Sequence, residues 1–147
     1  MSKLIRWDTP FTDVQYPAVE FLTTIEQGKH NALQVLVAPK GIDKYPKYLI
    51  HFGEVIAFTC MEEAGAPQRD FNSASDVIPR LSAYQWIDSP WLKSYEAQIH
   101  FIPAGHLGYF SHYLIFGGDN NIEVITPYKP SIEVIERKRP YKVEREL

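Results

Sequence analysis

Apolar residues alternate with polar or small ones in several short stretches of the chain, which is the pattern of half-buried β-strands. Two such stretches, residues 111–116 and 122–126, flank a Gly/Asp/Asn loop that adopts positive φ at low cost, so we predict a β-hairpin there. On its second arm Ile122 and Val124 share one face. Glu123 therefore points to the other face, into solvent or into a polar site.

A second unit combines a strand over residues 32–38, a turn containing Gly41, and a long strand over residues 47–60 in which Gly53 marks a bulge or bend. Residues 18–26 fit either a helix face or a strand face. Their β-branched and aromatic content favours a strand.

Helix signals are confined to residues 90–97, where Ser89 is the predicted N-cap and Pro90 the first helical residue. The overlapping residues 84–91 are predicted to be loop-like and partly exposed, with at least one of the two tryptophans packed in the core. Residues 62–80, rich in Gly, Pro, Asn and Ser, predict a long surface connection, and loops of that length are often functional.

These elements predict one α+β domain, mainly an antiparallel β-sheet with one or two short helices. The alternative is an all-β sandwich or a half-open barrel. The length of 147 residues suits a single globular domain, which we place at residues 1–128. Residues 129–147 are predicted to add an edge strand and a charged C-terminal tail.

Charge separates the tail from the body of the chain. Residues 129–147 carry a net charge of +2 and residues 1–128 a net charge of -5, within a total of -3. An acidic body argues against nucleic-acid binding, which needs clustered Lys and Arg. No stretch approaches the roughly 20 apolar residues that span a bilayer, and the first residues do not resemble a secretory signal. Cys60 is the single cysteine, so we expect no internal disulfide and a cytoplasmic protein.

Candidate chemistry is sparse. His100, His106 and His112 recur every six residues and could supply zinc ligands, but this spacing matches the helical i, i+4 pair and the same-face pair of a strand no better than chance. We therefore expect three unrelated histidines, no metal and no cofactor. Cys60 is expected to pack in the core.

Candidate binding residues are aromatic residues near the predicted helix and acidic residues at the predicted strand ends or faces. Trp and Tyr are favoured as interface anchors because they bury large areas at low entropic cost. The set consists of Tyr84, Trp86, Trp91, Glu62 and Glu123.

Residues 112–125, preceded by the sequence Ser89-Pro90-Trp91-Leu92, resemble a pattern found in small uncharacterised bacterial single-domain proteins. The resemblance covers the last third of the chain and consists mainly of hairpin residues. It implies a bacterial protein and carries no activity and no catalytic residues.

The sequence favours a non-enzymatic, protein-binding module of the bacterial cytoplasm, which binds a basic partner protein or a second copy through an edge strand or the aromatic segment. The alternative is a small enzyme or a ligand- or metal-binding domain that uses the histidine segment, residues 100–112, together with Glu62 or Glu123.

Overall fold

A computed structural model describes residues 3–14, 17–25, 31–62, 81–98, 110–118 and 120–138. Within these ranges the chain forms β-strands and one α-helix. In chain order they are β1 Lys3–Arg6, β2 Ala18–Ile25, β3 Asn31–Ala38, β4 Lys47–Phe52, β5 Ala57–Glu62, β6 Ala83–Ile87, α1 Pro90–Gln98, β7 Ser111–Phe116, β8 Asn120–Thr126 and β9 Ser131–Ile135.

The strands form two antiparallel sheets. The five-stranded sheet has the order β1-β6-β7-β8-β5, and the four-stranded sheet has the order β2-β3-β4-β9. The mainly antiparallel β-sheet with a short helix is as predicted, but the strands form two layers that share one core, so the fold is closer to all-β than to α+β. The all-β alternative describes the fold better. No helix among the described residues is long and apolar enough to cross a membrane.

The core lies between the two sheets. Val35, Ile50 and Phe52 of the four-stranded sheet meet Tyr113 and Ile122 of the five-stranded sheet, and all five side chains are buried. The alternation of apolar and polar residues along each strand directs these side chains inward. The predicted hairpin is confirmed as β7 and β8, and residues 18–25 form the strand favoured by their composition.

The predicted long strand over residues 47–60 is divided into β4 and β5, which belong to different sheets. Residues 53–56 cross between the sheets beside residues 127–130, which link β8 to β9. The β4–β9 and β5–β8 pairings follow one continuous antiparallel register. The two pairings therefore form a single two-stranded ribbon that bends from one sheet into the other. The Ile56 N–H donates to the Ile125 carbonyl at 2.9 Å and keeps the ribbon paired at this corner.

A second apolar layer covers the outer face of the five-stranded sheet, the face away from the shared core. Leu4, Tyr84, Trp86 and Leu114 are buried together there. The loop-like conformation predicted for residues 84–91 is therefore wrong for residues 84–87, because they belong to β6, which pairs with both β1 and β7.

Candidate functional site

A buried row of hydrogen-bonded polar side chains crosses the outer face of the five-stranded sheet. His112 Nδ1 lies 2.6 Å from Ser89 Oγ, and His112 Nε2 lies 2.9 Å from Glu123 Oε1. Ser89 and His112 are fully buried, and Glu123 is 4% exposed. The structure thus brings the predicted polar side of β8 into contact with the start of the helix.

Local sequence places each member of this row. His112 and Glu123 share a face because their neighbours Tyr113 and Val124 point into the core. Asp88 has a φ of 52°, a left-handed conformation that Asp tolerates better than most residues, and it turns the chain from β6 into α1. Ser89 then caps the helix, as predicted.

The N-cap contact uses the same serine oxygen that contacts the histidine. The Leu92 N–H donates to Ser89 Oγ at 3.0 Å. Ser89 Oγ also bonds His112 Nδ1, and the Nε2–H of the ring donates to a carboxyl oxygen of Glu123. The row joins the helix start to the sheet through one imidazole.

Both tryptophans of the candidate binding set pack against this imidazole. The Trp86 ring stacks on His112 with centroids 5.6 Å apart, and the Trp91 ring meets it edge-on at 5.2 Å. Trp86 is buried and Trp91 is half-buried, so partial exposure applies to Trp91 and core packing to Trp86. Tyr84 is also buried. Its hydroxyl accepts the Leu81 N–H at 3.3 Å, and burial raises the pKa of the phenol.

The residue types match a serine–histidine–carboxylate triad, but the arrangement differs from one. In a hydrolase triad the serine bonds Nε2 and the carboxylate bonds Nδ1, and the serine faces a substrate. Here the ring is reversed, the serine hydroxyl accepts a helix N–H, and no part of Ser89 is exposed. What this row can do chemically is position the helix on the sheet.

The remaining sequence candidates do not join this row. His100 and His106 lie outside the described residues, and Glu62 ends β5, where its backbone pairs with Asn120. Among the described residues no three His, Cys, Asp or Glu side chains could hold a metal ion together. Cys60 packs against the core, where burial raises the pKa of its thiol and disfavours a nucleophilic thiolate.

The second candidate is strand β9, at one edge of the four-stranded sheet. Its register with β4 pairs Val134 with Tyr48, which packs against the core, so Val134 lies on the inner face of the sheet. Its side chain is nevertheless 46% exposed. Tyr128, which precedes the strand, is 61% exposed. Sequence analysis predicted an edge here but identified neither side chain as a candidate.

The outer face of the same edge carries a polar network. The Gln34 side-chain amide donates to His51 Nδ1 at 3.1 Å, and His51 Nε2 donates to Glu133 Oε1 at 3.2 Å. The Glu133 side chain remains 44% exposed while it accepts from His51.

No protein-family model, curated protein or solved structure matches this chain.

Proposed function

We propose that this chain is a protein-binding module that accepts an extended segment of a partner protein alongside β9. In this binding mode the segment adds a strand to the sheet, its main chain supplies the hydrogen bonds, and its alternate side chains supply specificity. The observation that carries the proposal is Val134, an apolar side chain on the inner face of an edge strand that stays 46% exposed.

The exposure of Val134 distinguishes β9 from the other edges. Among the described side chains of the edge strands, Val134 is the most exposed large hydrophobic residue, followed by Phe58 of β5. Edge β1 has four residues, and its Arg6 binds Asp13 through two hydrogen bonds of 2.8 Å. Very short length is one of the features that protect an edge against pairing.

Two of the three aromatic candidates are buried. Trp86 and Tyr84 pack within the second apolar layer and stabilise the fold, so they do not serve as anchors. Trp91 is half-buried and contacts His112. Val134 and Tyr128 are more exposed and are the stronger candidate anchors.

The proposal is tested by titrating the isotope-labelled protein with a blocked peptide of alternating threonine and valine and following the amide signals by NMR. We expect the shifts to cluster in β9 and its partner β4. The Val134→Lys variant should lose them, because an edge lysine opposes strand addition. Ile87→Lys is the matched control: Ile87 is also an exposed hydrophobic residue, but it lies in the other sheet. Shifts that avoid β9, or that survive in the Val134 variant, would contradict the proposal.

A further inference from the structure

We infer that the segment accepted by β9 has an apolar–basic–apolar pattern, with a lysine or arginine opposite Glu133. This inference rests on the proposed function and specifies its partner. It follows from the order of side chains along β9, in which Glu133 is the middle residue and the only charged one.

The two faces of β9 impose different requirements on an added strand. Ile132 and Val134 lie on the inner face, where Ile132 packs against the core and Val134 is exposed. Directly opposite residues of neighbouring strands share a face, so the segment needs apolar side chains opposite these two positions. Glu133 lies on the outer face, next to His51.

Charge complementarity selects the central residue. A basic side chain opposite Glu133 forms a favourable cross-strand pair, whereas an acidic one is destabilising. Because Glu133 is central, the basic residue is central in the segment whether the added strand runs parallel or antiparallel.

A second copy of this chain fits the edge less well. Antiparallel pairing of two β9 strands over their full length places Glu133 opposite its own counterpart. Like charges directly opposite each other destabilise a strand pair, so the full register is disfavoured between copies. The favoured occupant is therefore a segment of a different protein.

The experiment uses two blocked peptides, TVKVT and TVEVT, titrated into the full chain with β9 amide shifts as the readout. We expect the lysine peptide to bind about fivefold more tightly, the difference set by one favourable and one unfavourable cross-strand pair. Glu133→Lys should reverse the preference. Glu136→Lys is the matched control, because Glu136 is exposed and lies just beyond the strand, and it should leave the preference unchanged.

The outcomes separate the two proposals. If both peptides shift the β9 amides with equal affinity, strand addition stands and the charge preference is overturned. A preference that persists in the Glu133 variant would also overturn it. If neither peptide shifts β9 in any variant, the proposed function fails, and the inference fails with it.

Discussion

Replacing Glu123 by leucine tests whether the buried polar row stabilises the fold as a connected unit. The substitution removes the carboxylate that accepts from His112 Nε2 at 2.9 Å, in a site where His112 is fully buried. The ring N–H then loses this partner away from water. An unsatisfied buried polar group costs roughly 1–3 kcal/mol, and the loss of a hydrogen bond to a carboxylate lies at the upper end of that range.

We therefore expect Glu123→Leu to lower the free energy of unfolding by about 3 kcal/mol, and His112→Phe to lower it by a similar amount. For a chain of this size 1 kcal/mol corresponds to about 3 °C in Tm, so each variant should melt roughly 9 °C lower. In the double variant both polar partners are gone, so its loss should be smaller than the sum of the single losses by about 2 kcal/mol.

The assay is urea unfolding of the four proteins in this cycle, with Glu123→Gln as the control that keeps an acceptor at the same position. We expect the glutamine variant to lose about 1 kcal/mol. Single losses that add within about 0.5 kcal/mol in the double variant would refute the coupling of His112 to Glu123.

Further substitutions probe other parts of the fold. Gly117→Ala should destabilise the chain by about 2 kcal/mol or more in urea unfolding, because the added methyl group would lie 2.6 Å from a valine methyl carbon. Ser89→Ala should lower Tm by roughly 3–6 °C, because the cap of α1 is lost. Thr59→Val should raise stability by about 1 kcal/mol in the same unfolding assay, because the Thr59 hydroxyl is buried without a hydrogen-bond partner in the described part of the chain. The hydrogen bonds from Arg6 lower the pKa of Asp13. Their contribution to the free energy of unfolding is therefore complete above the unfolded pKa of about 4 and is lost as the pH falls through the folded pKa. The difference in stability between wild type and Asp13→Asn should disappear in acid.

Local rules predicted the elements whose signals are contained in a few adjacent residues. The β7–β8 hairpin follows from its Gly-rich turn, and the start of α1 follows from Ser89 and Pro90. Strand β6 was missed because Asp88, Ser89 and Pro90 mark a chain break, while the pairing that makes residues 83–87 a strand comes from β1 and β7. Those partners are distant in sequence, so no local pattern contains them.

The candidate sites were harder to predict, for the same reason. Alternation along β8 placed Glu123 on the face opposite the core. Its contact with His112, however, depends on the register of the hairpin. The contact of Ser89 with His112 depends on where α1 packs on the sheet. The exposure of Val134 depends on tertiary packing: alternation places it on the inner face, and only the arrangement of the two sheets leaves it in solvent.

The central claim, that β9 accepts an added strand, is tested most directly by nuclear Overhauser contacts between an unlabelled TVKVT peptide and the isotope-labelled chain. The account predicts contacts between peptide α-protons and β9 α-protons at Ile132 or Val134, together with contacts from peptide valine methyl groups to the Val134 side chain. Contacts confined to other strands, or to the surface beside Trp91, would contradict it.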